Sequence, residues 1–298
     1  MSELGNVSIV ANPIAGRGKG RETAQMLRQS LESAGANVTV IHDPLAQVEP
    51  GRLGAADAII AIGGDGTLRA VAGRCLAGGV RIPPLLPVPM GTANLMGRHL
   101  GIDWQASNLA ERVVQSIRNG QISMFDAAEA NGQLFLLVAG AGLDGQIVHE
   151  LDRIRNGPIN YASYVFPTAM AMTSYRFTPL EVFVDERAIF HSEPAMAFVA
   201  NVSEYGTGFP VVPDARPDDG MLDVCVIPIG SPVEAVRTFL QAAAGEHVLA
   251  EGVVYARGKQ IEIRSPRPVP IQVDGDPGGF TPAHISLLPI RVPFIVPG

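Results

Sequence analysis

The first 120 residues alternate short, continuous apolar runs with longer stretches in which apolar residues recur at helical spacing. The apolar runs are VSIVANP, NVTVIHD, ADAIIAIGGDG and the first part of PPLLPVPMGTANLMGRHLG. Helical stretches such as GRETAQMLRQSLESAGA and TLRAVAGRCLAG lie between them. Strands that alternate with helices predict a parallel sheet with right-handed crossovers, so we expect a Rossmann-like α/β domain.

The period changes after ERVVQSIRNGQ, where strand-like runs separated by turns take over. These runs are QISMFDAAEANGQLFLLVAG, LEVFVDERAIF, PAMAFVANVS, MLDVCVIPI, QIEIRS and PIQVDGD. The Asn-Gly pair at 131–132 predicts a hairpin, and two helices are expected around Ala162 to Thr173 and Pro232 to Gly245. The sequence thus predicts an α/β domain over residues 1–124 and an antiparallel, β-sandwich-like domain over residues 125–287, with the tail 288–298 returning to the first domain.

Composition narrows the class of protein. The chain has 298 residues, 47% hydrophobic and 17% charged, which is enough to bury a sizeable core. Its formal net charge of −7 argues against a nucleic-acid partner, which would require a basic face. Cys75 and Cys225 lie in apolar patterns typical of buried thiols, which fits a reducing, cytoplasmic compartment. We expect no signal peptide and no transmembrane segment, because LFLLVAGAGL is far shorter than the roughly 18 residues of a span.

Three glycine-containing turns follow successive strands of the first domain: NPIAGRGKG, GGDGT and PMGTAN. Any one of them alone is an ordinary strand-to-helix connection. The carboxyl ends of parallel strands meet at one sheet edge, however, and ligands bind there. Glycine backbone, hydroxyls and amide side chains collected at that edge predict a nucleotide site.

The acid in the second turn needs its own explanation. A P-loop carries a lysine directly after its second glycine, whereas Thr67 follows Gly66 here and Asp65 adds negative charge. An aspartate at this place can hold Mg²⁺, directly or through water, or it can activate an attacking hydroxyl. The residues leave both alternatives open.

The order of the motifs carries a family resemblance. NPIAG, IGGDGT, PMGTANLMGRHLGI, GLDG, PDARPDDGMLDV and VDGD occur in this order across nearly the whole chain. This set resembles the diacylglycerol kinase catalytic family, in particular its soluble bacterial lipid kinases, and shares GGDGT with sphingosine kinases and NAD kinases. The resemblance implies a two-domain kinase that binds ATP in the α/β domain and lipid in the β-rich domain, with the active site between them.

The resemblance also implies roles for individual residues. The catalytic candidates are Asp65, Asp144, Asp274 and Asp276. The nucleotide-binding candidates are Asn12, Pro13, Gly16, His42, Gly63, Gly64, Gly66, Thr67, Arg69, Thr92 and Asn94. A structural Mg²⁺ is implied at the Asp219 carboxylate and the backbone carbonyls of Arg216 and Met221.

Several of these roles have alternatives. Asp144 precedes a helical run, where it could be only an N-cap, and PDARPDDGMLDV could be only an acid-rich turn. The family usually ends its late motif in DGE, whereas this chain has DGD, so the proton acceptor is either Asp274 or Asp276. Along an extended backbone, both carboxylates would face the same way. The family also continues GGDGT with Asn-Glu where this chain has Arg69 and Ala70.

From these patterns we expect an ATP-dependent lipid kinase that uses Mg²⁺ and phosphorylates diacylglycerol or a related lipid. The alternatives are a sphingoid-base kinase, an NAD kinase, and a catalytically inactive lipid- or nucleotide-binding protein. Its partners are expected to be ATP and a lipid taken from a membrane surface, which implies a cytoplasmic protein peripheral to the membrane, with a homodimer as an open alternative.

Overall fold

The computed structural model describes residues 4–12, 15–105, 107–154, 165–206 and 210–297. The chain forms two compact units, one of residues 1–125 with 291–298 and one of residues 126–290. The boundaries fall inside two strands, β5 (Gln121–Ala130) and β15 (Ala283–Val296). The N-terminal unit is therefore built from both ends of the sequence.

The N-terminal unit is a parallel sheet with helices between its strands. Its strands are β1 (Asn6–Ala11), β2 (Asn37–Ile41), β3 (Ala58–Gly63) and β4 (Leu85–Pro89). Its helices are α1 (Gly20–Ser33), α2 (Pro50–Gly54), α3 (Asp65–Ala77), α4 (Leu95–His99) and α5 (Leu109–Asn119). The strand order is β2-β1-β3-β4, followed by the end of β15, where Phe294 pairs with Leu85. All four pairings are parallel, as the alternation of periods predicts.

Burial follows the sequence pattern closely in this unit. Every residue of β3 is buried, because a central strand covered by helices has no solvent-facing side. Helix α1 buries Ala24, Leu27 and Leu31, which recur at the three- and four-residue spacing of one helix face. Helix α3 contributes Leu68, Val71 and Cys75 at the same spacing, and the Cys75 thiol is free and buried, as expected.

The C-terminal unit is antiparallel. Besides its parts of β5 and β15, it contains β6 (Gln133–Phe135), β7 (Val138–Ala141), β8 (Pro179–Val184), β9 (Arg187–Ala200), β10 (Leu222–Pro228), β11 (Val254–Gly258), β12 (Gln260–Arg264), β13 (Pro270–Val273) and β14 (Asp276–Phe280). Its helices are α6 (Leu143–Ile154), α7 (Val165–Ser174) and α8 (Pro232–Ala243). The strand order is β14-β13-β7-β9-β8-β12-β15, and β10 pairs with both β9 and β11.

Strand β9 joins two sheets in this unit. Its first half pairs with β8, and its second half, from Ala195 to Ala200, pairs with β10 and in part with β7. The buried cluster takes side chains from both sheets, among them Val182, Ile263 and Val224. The β-sandwich-like architecture expected from the sequence is confirmed, and its core lies between the two sheets.

Two hairpin turns bear on the predictions. Asn131 and Gly132 have φ values of 50° and 79°, which confirms the predicted hairpin between β5 and β6. Asp274 and Gly275 have φ values of 48° and 81° and connect β13 to β14 in the same way. The extended backbone expected for VDGD is therefore wrong, because this Asp-Gly pair is itself a hairpin turn.

The helix predicted at Pro232 is present as α8, and it exposes large apolar side chains. Ser231 caps it, since its Oγ accepts a hydrogen bond from the Glu234 amide at 3.3 Å. Small residues such as Ala235 face inward, whereas Val233 and Leu240 are 78% and 63% exposed. The other predicted helix, around Ala162 to Thr173, is described only from Val165 onward. Within the described residues, no helix is both long and apolar enough to cross a membrane.

Candidate active site

The structure brings the three glycine-containing turns into direct contact. Strands β1, β3 and β4 are neighbours and parallel, so their carboxyl ends lie side by side. The amide of Asn12 donates to the Ile62 carbonyl at 3.0 Å, the amide of Met90 to the Gly63 carbonyl at 2.8 Å, and the amide of Gly16 to the Met90 carbonyl at 3.1 Å. Backbone hydrogen bonds thus join each turn to another.

Glycine is required in these turns by close backbone approach. A Cβ atom at Gly91 would lie 2.7 Å from the Gly64 Cα and 2.7 Å from the Asn94 Oδ1. The Asn94 side chain is part of the turn, since its Oδ1 accepts from the Gly91 amide and its Nδ2 donates to the Gly91 carbonyl, both at 2.8 Å. Asn94 itself has a φ of 50°, a conformation that asparagine tolerates better than most residues. The amide group of Asn94 therefore shapes the third turn.

Asp65 ties the second turn to the third. It is the first residue of α3, and its carboxylate reaches α4, where Oδ2 accepts from the Leu95 amide at 3.0 Å and Oδ1 from the Met96 amide at 2.9 Å. These amides belong to the first turn of a helix and have no partner within it. Burial raises the pKa of the Asp65 carboxyl, and the amide hydrogen bonds lower it to a smaller extent. Asp65 thus caps a helix thirty residues away in sequence.

The other nucleotide-binding candidates lie within these turns, on α3 or just after β2. Thr67 is buried directly beneath Gly63, and a Cβ atom at Gly63 would collide with the Thr67 Oγ1. Gly66 is exposed at the N-terminus of α3, and His42 is exposed just after β2. Arg69 and Thr92 are half-buried. Pro13 lies outside the described residues. The nucleotide-binding roles of all these residues stay predictions.

The late acids belong to the C-terminal unit, and Asp274 is bound to the backbone there. Its Oδ2 accepts from the Leu136 amide at 2.9 Å, and its Oδ1 accepts from the Leu137 and Val138 amides at 3.0 Å each. These three amides lead into β7, which pairs with β13 directly before the turn. Asp276, two residues later, is half-buried at the start of β14. The two acids therefore occupy different environments.

Asp144 is buried in the first turn of α6. Its Oδ1 accepts a hydrogen bond from the Tyr205 hydroxyl at 2.7 Å. Burial raises the pKa of Asp144 to about 6, and the Tyr205 hydroxyl and the Gln272 amide group hold it lower than burial alone would. The Asp144 carboxylate thus accepts from a tyrosine hydroxyl, which is not the pattern of an N-cap, where the side chain accepts from helix amides.

Gln272 completes the surroundings of Asp144. It is fully buried on β13 opposite Gly140 of β7, and a Cβ atom at Gly140 would collide with Asp144 Oδ2 and lie 2.9 Å from Gln272 Nε2. These two side-chain atoms are buried without a regular hydrogen bond. The missing side chain of Gly140 thus leaves space in which a buried carboxylate oxygen and a buried amide nitrogen face each other.

The residues of the expected metal site are differently engaged. Asp219 Oδ1 accepts from the Met221 amide at 3.1 Å, and its Oδ2 contacts the Arg257 guanidinium. Arg216 lines a cavity of about 410 Å³ together with Asp219 and Arg257. Across the described ranges, no three His, Cys, Asp or Glu side chains are grouped so as to hold a metal ion. A Mg²⁺ at Arg216, Asp219 and Met221 stays a prediction.

Comparison with known proteins gives the family. Residues 6–130 match the diacylglycerol kinase catalytic domain, and residues 137–296 match the YegS C-terminal NAD kinase beta sandwich-like domain. The chain belongs to the diacylglycerol kinase family. Its fold class and its enzyme class, a lipid kinase, agree with the expectation from the ordered motifs.

Relatives of this lipid kinase match it end to end. A diacylglycerol kinase of Bacillus subtilis strain 168 is 25% identical over 294 residues, covering 97% of this chain and 95% of the relative. One from Staphylococcus epidermidis strain RP62A is 28% identical over 300 residues, covering 97% and 91%. Two crystal structures of proteins from Bacillus anthracis strain Sterne have a similar fold. The first superposes with a TM-score of 0.72 at 23% identity and covers 98% of this chain and 97% of its own. The second superposes with a TM-score of 0.69 at 21% identity and covers 99% of this chain and 98% of its own. The second is described as a diacylglycerol kinase.

Sequence reasoning missed four residues of this lipid kinase that contact buried or candidate acids, namely Asp144 and the pair Asp219 and Asp223. Tyr205 and Gln272 contact Asp144, and neither belongs to a recognisable motif. Arg257 and Tyr255 contact Asp223, and here a signal existed. The two are separated by one residue on β11, so the period of two places them on one face.

Proposed function

We propose that this lipid kinase transfers the γ-phosphate of ATP to the hydroxyl of diacylglycerol or a related lipid. The observation that carries the proposal is the convergence of three glycine-containing turns at one sheet edge, with Asp65 bonded across two of them. Such an edge suits a polyphosphate because backbone amides can approach it closely and the N-terminus of α3 adds partial positive charge.

We assign the nucleotide to the N-terminal unit. The amides of Gly64 and Gly66, at the start of α3, are candidate donors to phosphate oxygens. Asn12 and Thr92, on the neighbouring turns, are candidates to bound the nucleotide, and Arg69 adds a cation one helical turn from Asp65. When Mg²⁺ accompanies ATP, it neutralises charge on the β- and γ-phosphates. The role proposed for Asp65 is to keep the second and third turns in register around that charge.

We assign acceptance of the lipid proton to Asp276 rather than to Asp274. The Asp274 carboxylate accepts three backbone amides, so three of its roughly four lone-pair positions are committed to holding β7 in place. In the transfer, the lipid oxygen bonds to the γ-phosphorus, the bond to the β,γ-bridging oxygen breaks, ADP leaves, and the hydroxyl proton passes to Asp276.

Asp144 supplies a buried carboxyl group whose pKa is raised. Its pKa of about 6 allows it to exchange a proton near neutral pH, which is a property of groups at reacting centres. Its Oδ2 faces the Gln272 amide group without a regular hydrogen bond, so it keeps accepting capacity for a water molecule bound to Mg²⁺. We propose that Tyr205 fixes the orientation of this carboxylate.

The test is a transfer assay with a panel of acceptors. Purified protein is incubated with radiolabelled ATP, Mg²⁺ and, in separate reactions, diacylglycerol vesicles, a sphingoid base and NAD, and the products are separated by thin-layer chromatography. We expect label in phosphatidic acid. Label only in the sphingoid base or only in NAD would replace the proposed acceptor by that one. Binding of ATP without transfer to any acceptor would reject catalysis.

A further inference from the structure

Asp219, Asp223 and Arg257 form a compact cluster on β10, β11 and the loop that leads into β10. Asp223 on β10 lies directly opposite Arg257 on β11 in the antiparallel register. Asp223 is completely buried, and its Oδ1 lies 3.1 Å from Arg257 Nε and accepts from the Tyr255 hydroxyl at 2.9 Å. The Nη2 of the same arginine contacts Asp219 Oδ2. A single guanidinium therefore bridges two carboxylates.

The bridge has a clear electrostatic reason. A carboxylate buried without a cation would be strongly destabilising, and burial does raise the pKa of Asp223 while Tyr255 and Arg257 lower it. Arginine keeps its charge at any physiological pH and presents its donors in a rigid fork. Within this fork, Nε lies against the buried Asp223 and Nη2 contacts Asp219 at the motif.

This arrangement conflicts with a metal ion at the motif PDARPDDGMLDV. The resemblance implies that the Asp219 carboxylate and two backbone carbonyls coordinate Mg²⁺. Here one oxygen of Asp219 contacts Arg257 and the other accepts from the Met221 amide. Mg²⁺ binds its oxygen ligands at about 2.1 Å, so an ion on Asp219 would lie against the guanidinium and be repelled by it.

We propose that Arg257 takes the place of the metal ion at this motif. The arginine supplies the positive charge that joins the loop carrying Asp219 to the sheet carrying Asp223. The C-terminal unit is then held together at this point without a divalent cation, and any Mg²⁺ requirement of the enzyme arises elsewhere, with the nucleotide.

The test compares thermal unfolding of the nucleotide-free enzyme in EDTA and in millimolar Mg²⁺. We expect any shift that Mg²⁺ causes in the Tm of the wild type to be the same in Asp219→Asn. Arg257→Gln leaves two acids without a cation, so its Tm in EDTA falls by several degrees and Mg²⁺ restores part of the loss. Arg264→Gln is the matched control, because Arg264 is also a partly exposed strand residue paired with an acid, Glu262. It should gain no response to Mg²⁺.

Direct binding decides the question if Arg257→Gln does not fold. Mn²⁺ is titrated into nucleotide-free wild type and Asp219→Asn, and bound ion is followed by electron paramagnetic resonance. The proposal expects the two proteins to bind the same number of ions. An ion bound by the wild type and lost in Asp219→Asn would overturn it, as would a folded Arg257→Gln protein whose Tm does not respond to Mg²⁺.

Discussion

The carboxylate of Asp65 accepts a hydrogen bond from the backbone amide of Met96 at 2.9 Å, and this bond joins the second glycine-containing turn to the helix that follows the third. The adjacent amide of Leu95 donates to the other carboxylate oxygen at 3.0 Å. An acid at the sheet edge to which we assign the phosphates is thus explained first by architecture, because it satisfies amides that a five-residue helix cannot satisfy itself. Any catalytic role of Asp65 acts through a carboxylate already fixed in this geometry.

Asp65→Asn should impair both activity and stability. The substitution replaces one acceptor oxygen by an NH₂ group that faces a backbone donor, so at least one of the two hydrogen bonds is lost. We expect turnover to fall about a thousandfold or more, equivalent to about 4 kcal/mol, and the free energy of unfolding to fall by about 1–2 kcal/mol. Transfer assays and urea unfolding measure the two effects.

Asp57→Asn is the matched control for Asp65→Asn. Asp57 lies in the same unit and also accepts a backbone amide, that of Asn6 at 2.8 Å, but it is exposed and lies at the opposite end of the strands. We expect its activity to stay near that of the wild type. Wild-type turnover in Asp65→Asn would refute the role assigned to that carboxylate.

Asp274→Asn should mainly lower stability, whereas Asp276→Asn should mainly lower the catalytic rate. Asp274 accepts three amides, so its replacement should lower the free energy of unfolding by about 2–3 kcal/mol. Asp276→Asn should leave the Tm nearly unchanged and lower kcat by about a hundredfold or more, because a general base has been removed. If Asp276→Asn turns over at the wild-type rate while Asp274→Asn is folded and inactive, the proton acceptor is Asp274.

The buried Asp144 should make stability depend on pH in a defined window. Its pKa rises from an ordinary 3.8 in the unfolded chain to about 6 in the folded protein. Between these values the folded state binds more protons than the unfolded state, so this group's contribution becomes less favourable as pH rises from about 4 to 6 and then levels off. Two pKa units correspond to about 3 kcal/mol.

Asp144→Asn isolates that contribution, because the amide cannot ionise. Urea unfolding of wild type and variant is measured across this pH range. We expect the variant to gain stability relative to the wild type as pH rises to 6, and the difference to be constant above that value. A difference that does not change with pH would show that Asp144 titrates normally.

Gly91→Ala should disrupt the sheet edge to which we assign the nucleotide. Its methyl group would lie 2.7 Å from the Gly64 backbone and from the Asn94 side chain, so the second and third turns must separate. We expect ATP affinity, measured by calorimetry, to fall at least tenfold. Gly51→Ala is the control, since a methyl group at this exposed position on α2 meets nothing within 4 Å and alanine favours the helix. Unchanged ATP affinity in Gly91→Ala would contradict the placement of the nucleotide at these turns.

The sequence predicts the elements better than the contacts between them. The continuous apolar run of β3 and the Asn-Gly turn at 131–132 are local signals, and the structure contains both features. Asp65 and Asp274 act through hydrogen bonds to amides 30 and 136 residues away, and such contacts leave no periodic trace in a sequence. The turn at Asp274 and Gly275 could have been predicted from the sequence, because an Asp-Gly pair after an apolar run is a hairpin signal.

Strand β13 pairs with β7, and Phe294 pairs with Leu85. Both pairings join early parts of the chain to late parts, so neither can form until the late residues have been synthesised. Domains usually fold from the N-terminus as they leave the ribosome. Here the edge of the first sheet next to β4 stays uncovered until Phe294 emerges, and the amides of 136–138 find their acceptor only when Asp274 emerges. A stop codon at position 269 therefore affects both units, because it removes β13 and β14 from the C-terminal unit and the β15 partner of Leu85 from the N-terminal unit.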